Sequence, residues 1–383
     1  MIYLQSIIAF ILIFSVLIII HELGHFLAAR KVGIRVEEFG FGLPPKVWGK
    51  KTKSKVKYRD KTKTEEMIWS INAIPFGGFV KMLGEDDMTG KSEKDPHSFN
   101  NAPIWGRILV VCAGVIMNFI LGIALFTMAY SIGADPIITG IDDLKANIEK
   151  GVVEIHDGVQ LLQATEYSQE KGLQAGDIIQ AVDNTSINTP QELDKIIEKG
   201  LTGGDMHFLI KRGDDEVVKI FTPESIDEIG LFNTIPPIKK VNKIKLAPHK
   251  AFVFATTETT RISAKTVGML GDVVVNIVRN FKPPEGVAGP VGIAKMTHTL
   301  VEIGDFVKLI IFMGLISVSL AVVNIMPFPA LDGGRLLFLL AELITGQKPK
   351  AKHEALIHTI GFGLLLMLII LVTFNDIRML FKG

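Results

Sequence analysis

The sequence predicts a polytopic α-helical membrane protein with four transmembrane helices, a membrane-associated β element and one α+β insert. Three observations predict it. Hydrophobic residues make up 48% of the 383 positions, and four apolar runs approach the roughly 20 residues that a bilayer-spanning helix needs. The near balance of 41 basic and 40 acidic residues conceals a segregation, because residues 30–63 are rich in Lys and Arg while residues 135–224 carry 18 acids and 8 bases. That acidic stretch alternates strand-like and helix-like patterns and is long enough for one small domain. The same composition excludes a disordered chain, a disulfide-stapled secreted module and a basic nucleic-acid binder, so no nucleic-acid partner is expected. The single Cys112 sits in an apolar run and reads as buried packing.

Residues 1–31 form the first span, apolar from position 2 and continuing toward Ala29. A cleaved signal peptide is the competing reading, but no Lys or Arg precedes Arg30 and the run exceeds a usual signal core. Residues 32–104 read as a cytoplasmic-side β or re-entrant region. Within it, Phe39-Gly40-Phe41-Gly42-Leu43-Pro44-Pro45 is a turn-rich break, and residues 56–58 and 67–72 are short strand candidates around a Lys-rich tip. The apolar, glycine-interrupted piece Ile74-Pro75-Phe76-Gly77-Gly78-Phe79-Val80-Lys81-Met82 can form a bulged hairpin that dips toward the membrane surface. A plain loop is its alternative. The second span covers residues 105–132.

Residues 135–245 form the soluble insert. Residues 177–182 read as a strand, residues 189–199 as a helix capped by Thr189 with Pro190 in its first position, and residues 207–211 and 216–221 as a hairpin around Arg212-Gly213-Asp214. Residues 246–304 read as an amphipathic interfacial segment, within which residues 251–281 form an interfacial helix, not a span, because Phe, Val and Met mix there with Thr, Arg and Lys at quasi-helical spacing. The third span, 305–346, is interrupted, and the fourth covers 356–383. Basic residues cluster after the first span (Arg30, Lys31, Arg35) and between the third and fourth (Lys348, Lys350, Lys352), which puts those loops in the cytoplasm. Both termini and the insert are then extracytoplasmic in a multi-pass protein of the cell membrane. Arg378 and Lys382 run against this pattern and can snorkel to the interface.

At the cytoplasmic end of the first span stands His21-Glu22-Leu23-Gly24-His25. Histidines at i and i+4 share one helical face and can reach a single Zn²⁺, while the intervening glutamate can take a proton from water. Ionisable groups within a span are expensive, and that points to function. The competing reading is a hydrated helix exit, against which apolar residues resume at Phe26. A catalytic zinc site needs a third protein ligand. Glu37 and Glu38 follow a basic stretch and look like solvated charges. Asp332 is the better candidate, in Asn324-Ile325-Met326-Pro327-Phe328-Pro329-Ala330-Leu331-Asp332-Gly333-Gly334-Arg335. The prolines break the helix and free backbone groups to line a polar site. A simple Asp-Gly turn or a helix cap is the alternative for Asp332. Asn324 can donate to a peptide carbonyl or serve as interhelical glue. The other histidines (His97, His156, His207, His249, His298, His353, His358) lie in polar or isolated contexts without metal-ligand spacing.

These residues resemble the site-2 protease family of intramembrane zinc metalloproteases, in particular its bacterial branch with a PDZ insert. The likeness is carried by residues 21–25, 39–42 and 74–80, by Gly106-Arg107 through Asn118-Phe119, and by residues 324–334, in that order along nearly the whole chain. The resemblance implies that His21, His25 and Asp332 bind zinc and that Glu22 is the general base. It also implies that Phe76, Gly77 and Gly78 belong to a β element that positions substrate, with Asn324 as a further substrate-positioning residue. Lys171-Gly172-Leu173-Gln174-Ala175-Gly176-Asp177 looks like the core of one PDZ domain, without a clear carboxylate-binding loop. Val115 stands where the family often has proline.

The expected function is therefore intramembrane zinc endopeptidase, acting on single-span membrane proteins within the lipid bilayer. By resemblance the substrates are already trimmed, as with anti-sigma factors or remnant signal peptides. A non-enzymatic membrane PDZ scaffold is the alternative, and a metal transporter a weaker one. Oligomeric state is not legible.

Overall fold

The computed structural model describes residues 2–58, 61–85, 95–162, 166–200, 204–213, 215–221, 234–280, 288–348 and 351–382. The chain forms two compact units, Met1–Gly133 with Lys245–Gly383, and Ala134–Ile244.

Helix α1 (Ile2–Val32) is 31 residues long, or about 46 Å at the helical rise of roughly 1.5 Å per residue. Its buried face runs through Ile13, Leu17, His21, Gly24, His25 and Ala28, a spacing of three and four that turns one stripe inward. Two long antiparallel strands follow, β1 (Val36–Tyr58) and β2 (Lys61–Met82). This corrects the expectation of a turn-rich break and two short strands. The register shifts repeatedly between Val36 and Trp48, so the glycines and prolines at 40–45 are absorbed as irregularities. A two-stranded ribbon tolerates them because each strand has a free edge, where a missing N–H breaks no ladder. Phe26 of α1, Phe39 of β1 and Trp69 of β2 form an aromatic cluster, with ring centroids 5.2 to 5.8 Å apart, that seats the ribbon's base on α1.

Helix α2 (Ile104–Ile132) lies against α1 at close range. A Cβ on Gly24 would come within 2.3 Å of the Ala113 carbonyl oxygen, so only glycine permits this approach.

The second unit holds α3 (Ile141–Glu149), β3 (Val153–Ile155), β4 (Val159–Leu161), α4 (Glu166–Glu170), β5 (Ile178–Val182), β6 (Thr185–Ser186), α5 (Pro190–Gly200), β7 (Met206–Arg212), β8 (Asp215–Phe221), β9 (Thr234–Ile235) and β10 (Ile238–Val241). Its main sheet has the order β8-β7-β5-β4-β9, with β6 paired to β5, and β3 pairs with β10. Val159, Leu161, Ile179, Leu193, Ile197, Phe208 and Phe221 are among its fully buried core residues. Thr189 Oγ1 accepts a hydrogen bond from Glu192 N at 3.2 Å, and Glu192 Oε2 accepts one from Asn188 N at 2.9 Å, which caps α5. Buried Asp177 is held by Arg212 Nε at 2.7 Å and by Gln174 N at 2.8 Å. The unit's two ends meet, since Ala134 N donates to Ile244 O at 3.1 Å and Ile244 N to Ala134 O at 2.8 Å. Asp214, in the expected turn between β7 and β8, lies outside the described residues.

The chain then builds α6 (Pro248–Asn280), α7 (Pro290–Ile303), α8 (Phe306–Ile325), α9 (Asp332–Thr345) and α10 (Ala351–Lys382). The expected single amphipathic segment is thus two helices, of which α6 packs along α2 and α8, with Tyr130 and Phe254 edge to face at 4.8 Å. Thr256, Thr257, Thr260, Ser263 and Thr266 each donate to the carbonyl four residues back, so α6 satisfies these five hydroxyls itself. Asp305 caps α8 by accepting from Val307 N and Lys308 N. Asp376 of α10 accepts from Gly292 N at the start of α7 at 2.8 Å. Among the described residues, four helices are long and apolar enough to cross a membrane: α1, α2, α8 and the stretch His353–Arg378 of α10.

Candidate metal centre

The i, i+4 spacing on α1 brings His21 Nε2 and His25 Nε2 to 3.1 Å of each other. The prolines after Ile325 end α8, and Gly333 and Gly334 let the start of α9 fold back on the turn. A Cβ on Gly333 would sit 2.1 Å from the Met326 carbonyl oxygen, and one on Gly334 would sit 2.4 Å from that of Phe328. Asp332, the first residue of α9, thereby reaches α1. Its Oδ2 lies 3.1 Å from His21 Nε2 and 3.4 Å from His25 Nε2.

These spacings suit a metal. Zinc–nitrogen bonds of about 2.0–2.1 Å in a tetrahedron put ligand atoms roughly 3.3 Å apart. The lone-pair arithmetic agrees. His25 Nδ1 lies 2.8 Å from the Val110 carbonyl oxygen, which can only accept, so Nδ1 carries the proton and Nε2 presents a lone pair. Asp332 Oδ2 is buried and receives no hydrogen bond. Asn118 faces His21 Nδ1 at 3.4 Å, and its own Oδ1 is buried without a donor. The amide orientation that turns Oδ1 toward Nδ1–H satisfies both groups and leaves the His21 Nε2 lone pair pointing inward as well. Three acceptors converging without a donor repel each other unless a cation sits among them. Gly114 keeps that space open, because a Cβ there would lie 2.4 Å from His25 Nε2 and 2.7 Å from His21 Nε2.

Glu22 lies beside this cluster. Its Oε2 accepts a hydrogen bond from Val80 N of β2 at 3.0 Å. Both groups line a cleft of 510 Å³ together with Phe79, Val110, Leu331 and His358. Glu85, just beyond β2, pairs with Arg335 of α9 at the same cleft. Gly78 runs alongside, where a Cβ would stand 3.8 Å from Glu22 Cγ, and Gly77, with φ +81°, faces Ile18. The Phe76 side chain lies outside the described residues. Asn324 sits in the last turn of α8 and is not among the residues that line the cleft.

Seven contributors were not read as site residues from sequence: Gly114, Asn118, Val80, Val110, Glu85, Arg335 and His358. The expectation that His358 is an isolated histidine is corrected, since its Nδ1 accepts from Ala330 N at 2.9 Å and it lines the cleft. Within the sequence only the amide of Asn118, a polar group inside an apolar span, carried a signal.

Comparison with known proteins agrees with this chemistry. The family described as peptidase family M50 matches residues 9–368. A candidate zinc metalloprotease of Clostridium perfringens is 33% identical over 370 residues, covering 96% of this chain and 97% of that protein. The regulator of sigma-W protease RasP of Bacillus subtilis is 26% identical, covering 99% of the chain and all of the relative. The regulator of sigma-E protease RseP of Escherichia coli is 27% identical, covering 98% of each.

Proposed function

The chain belongs to peptidase family M50 and is a zinc-dependent membrane metalloendopeptidase, and from that premise we propose that it hydrolyses peptide bonds in or near the membrane-embedded segment of single-span membrane proteins. The observation that carries the reading is the convergence of His21 Nε2, His25 Nε2 and Asp332 Oδ2, all within 4.8 Å of one another, beside Glu22 in an apolar helix.

In this reading His21, His25 and Asp332 hold the zinc. When bound, zinc supplies a Lewis acid that polarises the scissile carbonyl and makes water acidic. Glu22 accepts the proton from the attacking water and returns it to the leaving amine. The Val80 amide fixes the Glu22 carboxylate through Oε2 for that transfer. Val110 O and Asn118 fix the imidazole rings. The β2 segment at Gly77 and Gly78 lies beside the base and can hold a substrate in extended form, which exposes a peptide bond that a helix would shield. Phe76 and Asn324 are proposed to position substrate with it.

The membrane orientation follows from charge. On that rule the basic residues Arg30, Lys31, Lys46, Lys50, Lys51 and Lys53 lie on the cytoplasmic side, the active site is toward that side, and both termini and the insert are extracytoplasmic. The insert is a PDZ-like filter that admits substrates already shortened by another protease, and anti-sigma factors or remnant signal peptides fit that class. The test is zinc content of the detergent-purified protein, wild type beside His21→Ala and Asp332→Ala, with cleavage of a transmembrane peptide on the same samples. About one zinc per chain, lost with activity in both variants, is expected for a three-ligand site. A folded, metal-free wild type would sink the reading and favour a membrane scaffold.

A further inference from the structure

We propose that His358 is a positioning residue for the third metal ligand, holding the backbone of Ala330 in the conformation from which Asp332 reaches His21 and His25. The inference rests on the reading of those three residues as zinc ligands.

Between the end of α8 and Asp332 the chain passes through Pro327 and Pro329 to Ala330, whose φ is +75°. A residue with a Cβ disfavours that left-handed region, and it persists only where the surroundings over-determine it. Helix α10 supplies the constraint. His358 Nδ1 accepts the Ala330 N–H at 2.9 Å. Because the amide can only donate, Nδ1 carries no proton, and the ring's proton is on Nε2. The imidazole is held in turn by Phe338 of α9, with ring centroids 5.7 Å apart. Gly361, three residues further along α10, completes the seat, since a Cβ there would stand 2.3 Å from Pro329 Cβ. The turn is therefore gripped at Pro329 and Ala330, and Asp332 leaves it two residues later. Rotating Ala330 out of the left-handed region re-aims the chain into α9 and moves Oδ2 away from the imidazoles it meets at 3.1 and 3.4 Å. His358 itself acts through the Ala330 amide, not through the metal ligands.

The test compares wild type, His358→Phe, His358→Asn, His358→Phe with Ala330→Gly, and His21→Ala. Each is purified in detergent and titrated with a graded chelator, with zinc retention and peptide cleavage read on the same samples. His358→Phe keeps a ring against Phe338 but lacks the acceptor, and it should release zinc at about ten- to a hundredfold lower chelator, the range for loss of a group that orients a ligand. Asn places Oδ1 where Nδ1 stands and should restore retention. Glycine at 330 adopts a positive φ without a steric penalty and should recover part of the loss. Should His358→Phe fail to fold, His358→Ala is held to the same criteria. Wild-type zinc retention in the acceptor-less variant overturns the proposal, as does an Asn variant that loses as much as Phe. Wild-type retention in His21→Ala overturns the ligand reading itself and this inference with it.

Discussion

Glu22 can be separated from its neighbours by one atom. In Glu22→Gln the amide oxygen still accepts from Val80 N, and the three proposed ligand atoms are untouched. Zinc content should stay at the wild-type level while cleavage falls roughly 10²- to 10⁴-fold, the usual contribution of a general base. Metal analysis and peptide cleavage on one preparation check this. Gly114→Ala should do the reverse, since its Cβ would lie 2.4 Å from His25 Nε2. We expect zinc loss with the four spans still folded, read by metal analysis and thermal unfolding. The histidine pair and Glu22 were legible because helical periodicity puts i and i+4 on one face, and Asp332 because a carboxylate in an apolar stretch demands a reason. Gly114 and His358 were not. A glycine in a span reads as packing, and the contact of His358 with Ala330 joins positions 28 residues apart that no local pattern connects.

Among the elements, the α2–α8 pair depends on small residues. A Cβ on Gly314 would meet the Phe126 ring at 2.5 Å, and one on Gly122 would meet Val318 Cγ2 at 2.6 Å. Gly314→Val should overpack this contact and destabilise the protein by about 1–3 kcal/mol, visible as a lowered Tm in detergent. The spans were legible from apolar length alone, and the break between α8 and α9 from its prolines. The β ribbon was legible only in its short, regular pieces. Pro44, Pro45 and the neighbouring glycines carry turn chemistry, and a two-stranded ribbon can bury that chemistry in bulges instead of turning. The helical spacing of α6 was legible and the helix is not among the candidate spans of the described residues, but its packing on α2 and α8 depends on tertiary contacts that periodicity does not specify.

For the whole molecule, the insert tests the proposed order of events. If it filters by size, substrates with bulky outer domains should be cut more slowly than trimmed ones, and the difference should shrink when residues 134–244 are replaced by a short linker. Equal rates in the intact protein would remove the filter role. The insert's own stability leans on Asp177, whose side chain is 1% exposed against Arg212. Arg212→Met strands that carboxylate with the Gln174 amide and should cost about 3 kcal/mol, the low end for breaking a buried pair, checked by hydrogen exchange of the β5 and β7 amides. The charge segregation that marked this region as separate was legible at once, whereas its strand order was not, because β4, β5 and β7 pair across long sequence gaps. The paired ends at Ala134 and Ile244 give the region a further property. A segment that departs and returns at one point behaves as a closed loop, and doubling the length of such a loop adds only about 0.6 kcal/mol of closure entropy. Material can accordingly be added or removed beyond that neck at little closure-entropy cost to the helices it springs from, so the insert and the helical unit are free to diverge at different rates.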